Sequence, residues 1–323
     1  METGQARMLA MTTPLGTVPV RQLNRGKSWI RPDAGKQWLL YVSDGATGTI
    51  DIYNYRVRVG KLYGQITGLS FPYGQCLDRG GNVYVVDNET AKIYEFAHGG
   101  TTPIATASDA YGNPIGCSVD PTNGDVAVAN FNGASSGPGG LVVFAGGLDG
   151  SQTNYTNSLL YHLYPPGYDP HGDLFVQGTD YSGNDYFAEL RKGSGTFDML
   201  SGLTIAFPGS VGWDGSYITA TDQDYQYGYT TMIYRLTVSG SAVTIVGKTN
   251  LTDDCYPNYD WMVAVQPFVG GPRRGGAVAA GNLNCPNRQN FFSYADGGNP
   301  KRSEPSAIAP KAPYGQVVSP PKG

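Results

Sequence analysis

The chain has 323 residues, enough for one large domain or two, with 46 Gly, 23 Tyr and only 15% charged residues. Long helices need Ala, Leu, Glu and Lys in quantity, so this composition excludes an all-helical class and favours many short strands separated by turns. A net charge of −4, with no basic cluster beyond Arg273-Arg274, argues against nucleic acid as a partner, and no apolar run approaches the ~18 residues of a membrane span.

From the N-terminus, the only apolar run before Val20 is Met8 to Met11, shorter than the roughly 7–15 residues of a signal-peptide core. Low charge, abundant Tyr, Asn, Gly and Thr, and an even number of cysteines fit an exported protein. The expectation is an extracytoplasmic domain (secreted, periplasmic or cell surface) whose signal sequence is absent here. Residues 1–37 read as an extension packing on or preceding the main domain, and 321–323 as a tail.

A repeat begins next. Leu39 to Asp44 is a strand without an obvious partner upstream. Pro72-Tyr73-Gly74-Gln75-Cys76-Leu77-Asp78 then leads through a Gly-Gly-Asn turn to Val83-Tyr84-Val85-Val86-Asp87, followed by Lys92 to Phe96 and Pro103 to Thr106. These four β-rich runs bounded by turn formers predict a four-stranded antiparallel meander. The unit recurs at Pro114, Pro166 and Pro208, in steps of 42, 52 and 42 residues, and more loosely from Pro257. Such periods with four strands each match propeller blades. The predicted fold is an all-β, six-bladed β-propeller with four-stranded antiparallel blades. It spans 38–320, with blades near 38–70 plus 314–319, 71–112, 113–164, 165–206, 207–254 and 255–312. The tail Pro313-Tyr314-Gly315-Gln316 copies the opening at Pro72, so Gln316 to Ser319 is expected to pair beside Leu39 to Ser43 and close the ring. Ser28-Trp29-Ile30 is the competing choice for that missing strand. Asp44, Asp87, Asn130, Asp222 and Asn282 end successive second strands and read as side chains bonding the following turn.

The pattern Pro-x-Gly-x-x-x-Asp, then Gly-Asn-Val-Tyr-Val-x-Asp and Lys-Ile-Tyr-Glu-Phe, resembles NHL-repeat six-bladed propellers. More distantly it is similar to the gluconolactonase and strictosidine-synthase-like group. The likeness is sharp over 72–130 and weak over 255–300. It implies a binding propeller or a hydrolase, and the fold leaves that choice open.

In such a meander the Pro-x-Gly segments and the turns between strands two and three share one face. Those turns read as long at Phe131–Gly140, Gln223–Thr230 and Leu283–Asn290. Asp222, Asp224, Tyr225, Tyr227 and Tyr229 fall together in one of them, and aromatic groups with polar tips suit a binding surface. With Tyr73 and Tyr314 at the channel mouth, and Asn258 and Asp260 at the divergent sixth unit, they form the candidate ligand-binding set. A saccharide, peptide or protein partner is expected, bound by a monomer without catalysis. The alternative is a propeller hydrolase, lactonase- or esterase-like, at the channel mouth.

A lactonase-type metal centre is expected to place carboxylate or Asn ligands inside the Pro-x-Gly segments, where this chain has Tyr73, Ile115, Pro166, Pro208 and Tyr314. No cofactor is therefore expected, and calcium at Asp222 and Asp224 is the weaker alternative, since oxygen sites need six or more donors. His98, His162 and His171 are too dispersed for zinc and read as surface residues. Cys76 with Cys117, and Cys255 with Cys285, read as two disulfides or as free buried thiols. Asn88, Asn154 and Asn250 open glycosylation sequons.

Overall fold

A computed structural model describes residues 24–55, 62–225, 230–252, 260–266, 277–282, 288–294, 296–299, 301–303 and 309–321. Its described strands form antiparallel sheets arranged as a β-propeller. The first sheet contains β1 (Trp29–Ile30), β2 (Leu39–Asp44), β3 (Thr49–Asn54) and β4 (Leu62–Ile66). The second has β5 (Pro72–Leu77), β6 (Val83–Asp87), β7 (Lys92–Phe96) and β8 (Pro103–Ser108). The third has β9 (Gly112–Val119), β10 (Val126–Gly133), β11 (Pro138–Phe144) and β12 (Gln152–Tyr155). In the fourth, the inner strand is broken by Pro165-Pro166 into β13 (His162–Leu163) and β14 (Gly167–Tyr168), beside β15 (Leu174–Thr179), β16 (Asp185–Leu190) and β17 (Asp198–Leu200). The fifth has β18 (Pro208–Trp213), β19 (Ile218–Tyr225), β20 (Thr230–Ser239) and β21 (Ala242–Leu251). The sixth has β22 (Asp260–Gln266), β23 (Ala277–Asn282), β24 (Asn290–Ser293) and β25 (Arg302–Ser303).

The last strand, β26 (Pro313–Ser319), returns to the first sheet and pairs antiparallel with β2, Leu39 opposite Ser319 and Val42 opposite Gln316. That is the register expected for the tail. Ser28-Trp29-Ile30 does not take the inner place; β1 pairs with β4 at the outer edge of the same sheet.

Inner strands sit beside one another in the order β26, β5, β9, β14, β18, β22 and back to β26. Each sheet is thus buried on both faces, which explains why second strands such as β2 and β6 begin with continuous apolar runs rather than alternating. In β2, Leu39 and Tyr41 face the second sheet, packing with Val83, Val85 and Phe96, while Leu40 and Val42 face the sixth, packing with Ala279 and Phe291. The strand period of two assigns successive side chains to opposite neighbours. Burying one such Leu or Ile stabilises the fold by about 1.5–3 kcal/mol. Similar layers lie between the remaining neighbouring sheets.

Two glycines of the Pro-x-Gly segments are required by close approach. A Cβ on Gly315 would meet the Tyr73 carbonyl oxygen at 2.2 Å, and one on Gly167 would meet Gly212 at 2.8 Å. Inner strands of neighbouring sheets touch backbone to backbone there, with no room for a side chain.

The Asp residues expected to end second strands do more than bond the next turn; Asp222 lies inside β19, which runs on to Tyr225. Asp87 accepts the Ser70 and Phe71 N–H groups at 2.8 and 2.9 Å, the two donors just ahead of Pro72. Asp44 accepts those of Lys311 and Ala312 at 2.8 and 3.1 Å, and Asp222 those of Ala206 and Phe207 at 3.0 and 3.1 Å. Each carboxylate clamps the lead-in to the inner strand of its own sheet. Asn130 departs from this by donating to Asp109, which in turn accepts the Tyr111 N–H.

Cys76 and Cys117 form a disulfide joining the inner strands of the second and third sheets, across a sequence separation of 41. Cys255 and Cys285 lie outside the described residues. Two expectations need correction. The turns read as long are shortened by strand: β10 runs to Gly133 and β11 begins at Pro138, and β19 runs to Tyr225 with β20 beginning at Thr230. His98 is buried rather than on the surface, because the tail covers it: its Nδ1 lies 2.7 Å from the Ser319 Oγ.

Candidate functional site

The Pro-x-Gly segments bring aromatic side chains to one face around the axis. Tyr73 and Tyr314, expected there from sequence, lie with ring centroids 4.5 Å apart, and Phe71 meets both edge-on at 5.6 and 5.0 Å. Tyr314 is buried and Tyr73 half-buried. Ala46, Ile115, Ala312, Phe131, Tyr164 and Phe207 complete the same cluster. Tyr164 meets Phe131 and Phe207 edge-to-face at 5.7 and 6.0 Å, geometry that such pairs favour.

On the side of the third and fourth sheets this collar continues outward. His162 stacks on Phe131 at 4.3 Å and 21°, with its Nδ1 3.0 Å from the Phe131 carbonyl oxygen. Tyr161 stands edge-on to His162 at 4.8 Å and to Tyr181 at 5.1 Å. Tyr181, in the turn between β15 and β16, is 68% exposed. A strip of rings therefore runs from solvent at Tyr181 to the buried Tyr164. His162, expected on the surface, is buried in it, and desolvation lowers its pKa, favouring the neutral imidazole.

Acidic groups flank the strip. Asp222, of the expected ligand-binding set, is buried with both oxygens on the backbone donors named above. Across from it, on the fourth sheet, half-buried Asp185 is pushed up to about 7 by burial and by the charges of Asp222 and Asp180. Its charge also holds the buried Tyr164 hydroxyl in its protonated form, burial being the larger cause.

Tyr225 pairs with Thr230 and Asp260 with Asn282 through the backbone, and Asp224 lies within β19. Tyr227, Tyr229 and Asn258 lie outside the described residues. Among the described residues, no group of three or more His, Cys, Asp or Glu is placed to hold a metal ion, and no helix is long and apolar enough to cross a membrane. Sequence reasoning missed Tyr161, His162, Tyr181 and Asp185. The available signal was the aromatic density of Tyr161-His162-Leu163-Tyr164 just ahead of Pro165-Pro166-Gly167, the same place that Phe71 and Phe207 occupy in their units.

No family model matches the sequence, and no curated protein matches it. Among solved structures, a protein of unknown function from Bacteroides caccae superposes with a TM-score of 0.61 at 12% identity, over 88% of this chain and 99% of that one. A functionally unknown protein from Desulfotomaculum acetoxidans gives 0.57 at 11% identity with the same coverage. At such identities the likeness concerns the fold alone: the chain is similar to these proteins in its propeller architecture.

Proposed function

We propose that this chain is an exported, non-catalytic propeller of six blades that binds a saccharide chain along its aromatic face. The six-blade count is supported by six hydrogen-bonded sheets whose inner strands follow one another around a circle. The repeat pattern supports placing it beside NHL-type propellers. Export is supported by the Cys76–Cys117 disulfide, a bond characteristic of oxidising compartments.

The observation that carries the binding reading is the strip from Tyr181 through Tyr161 and His162 to Tyr164. Rigid rings with polar tips offer stacking area at low entropic loss, and a sugar presents flat C–H faces edged by hydroxyls. A strip that begins in solvent and ends at a collar suits an extended ligand better than a small one. Calorimetric titration with neutral hexasaccharides (xylohexaose and cellohexaose) tests it. Tyr181→Ala and Tyr161→Ala are expected to weaken binding at least tenfold with unchanged circular dichroism; wild-type protein that binds neither would sink the reading.

A further inference from the structure

Between the fourth and fifth sheets, next to the collar, polar groups are buried without partners. Strand alternation places Phe175, Gln177 and Thr179 of β15 on the side facing the fifth sheet, since Phe175 packs there with Val211, Ala220 and Met232. Asp185 is the antiparallel partner of Thr179, and Phe187 that of Gln177; opposed residues project to the same side with Cβ atoms about 5 Å apart. Asp222 looks back from the fifth sheet, two residues beyond Ala220 and opposite Met232. Gln177, Thr179 and Asp185 thus project from the fourth sheet and Asp222 from the fifth, beside the apolar Phe175, Phe187 and Met232.

The hydrogen-bond inventory of this space is incomplete. The Thr179 Oγ1 has no partner although the residue is 3% exposed, and the Gln177 Nε2 has none although that residue is fully buried. The Gln177 amide cannot simply be turned round: its Oε1 accepts the Gly209 N–H at 3.1 Å, so the nitrogen must point the other way. An unmade hydrogen bond of this kind costs about 1–3 kcal/mol, so such groups normally meet a partner.

The unmet set has one feature that selects its ligand. It contains a donor (Gln177 Nε2) and a hydroxyl that can be either donor or acceptor (Thr179), with the half-buried Asp185 carboxyl beside them as a further acceptor. A bare cation would leave the amide N–H groups unanswered, and an anion would be repelled by Asp185 and Asp222. A hydroxyl both donates and accepts, and two neighbouring hydroxyls satisfy all three groups. We infer that the junction of the fourth and fifth sheets is a subsite for neighbouring hydroxyls of a neutral sugar residue, read by Gln177, Thr179 and Asp185. It rests on the reading of the aromatic strip, and the two meet at Tyr164.

The test uses the full chain and the same two hexasaccharides, with a chitosan hexamer as the amine control. Thr179→Val keeps the shape and removes the hydroxyl; Asp185→Asn keeps the shape and removes the carboxylate. Each is expected to weaken neutral-sugar binding about tenfold or more, with melting temperature held within a few degrees. A second readout is the carboxyl carbon resonance of Asp185, expected to titrate at lower pH when a neutral sugar is added. If both variants bind as wild type while Tyr181→Ala weakens binding, the junction holds water only and the strip survives alone. If chitosan binds and neutral sugars do not, the subsite reads a cation and the hydroxyl assignment is overturned. If nothing binds, strip and subsite fall together.

Discussion

The segment Pro-Tyr-Gly-Gln occurs twice, at 72–75 and 313–316, and performs one structural task in two different covalent settings. In the second sheet it opens β5, which is tied to β6 by a short turn and to the third sheet by the Cys76–Cys117 bond. In the first sheet it opens β26, which reaches β2 only after the chain has passed through every other sheet. The same forked clamp holds both: Asp87 grips residues 16–17 positions away, Asp44 residues 267–268 away. Loop-closure entropy grows only with the logarithm of length, so the longer loop adds about 2.5 kcal/mol. A modest set of contacts can therefore replace a covalent tether. Besides its ladder and clamp, β26 gains hydrogen bonds to both neighbours, with Gln75 donating to the Gly315 carbonyl at 3.3 Å and Gln289 donating to Gln316 at 2.6 Å.

Removing residues 311–323 should break the comparison most severely. It exposes the inner edge of β2 and uncovers the Tyr73 and His98 environments, and the expected result is insoluble or unfolded protein by circular dichroism. Soluble protein with a native melting curve would show that the tail is dispensable. Next in size is the covalent tether: Cys76→Ser with Cys117→Ser should cost about 4 kcal/mol by chain entropy for this loop, read from urea midpoints.

Asp44→Ala and Asp87→Ala then sharpen the contrast, since each strips an acceptor from three backbone donors, two of them in the lead-in, and should cost about 2–4 kcal/mol. Hydrogen exchange separates them. Loss of Asp44 should accelerate exchange in β26 selectively, whereas β5 should stay protected in the Asp87 variant because the disulfide still holds it. Equal local acceleration in both would erase the distinction.

A last effect concerns pH. At the place where β7 carries Tyr94, β3 carries Asp51, buried and pushed up to about 7, chiefly by burial. Its folded pKa lies above the ~3.9 of an unfolded Asp, so the folded state holds the proton more tightly. Stability from this group is then greatest below about pH 4 and falls as pH rises towards 7, by up to about 1.4 kcal/mol per unit. Asp51→Asn keeps an oxygen for the Gln65 and Thr49 donors and should flatten melting temperature against pH over that window. An unchanged slope would mean that Asp51 is ionised throughout.

What could be read from sequence follows the same division. The sheet order, the return of the tail beside Leu39 and the Cys76–Cys117 pair were legible because each is written locally: a repeated Pro-x-Gly, a copied tetrapeptide, two cysteines on equivalent strands. The aromatic face was legible as a face but not as a set of residues. Tyr161, His162 and Tyr181 come from a strand and a turn of one sheet, and their line of contact with Phe131 of the neighbouring sheet depends on the angle between blades. Asp185 is equally silent: within Ser-Gly-Asn-Asp it reads as a solvated turn, and only Asp222 opposite makes it unusual. His98 and His162 were misread for a related reason, since what covers each is distant in the chain.

The pairing of β2 with β26 also sets a timetable for biosynthesis. A ribosome adding about 5–20 residues each second needs roughly 10–50 s to travel from Asp44 to Lys311. Throughout that interval Leu39 to Asp44 has emerged with its inward margin unoccupied, and nothing made so far can fill it correctly. The ring therefore completes only once Pro313 to Ser319 has been made, long after the strand it joins.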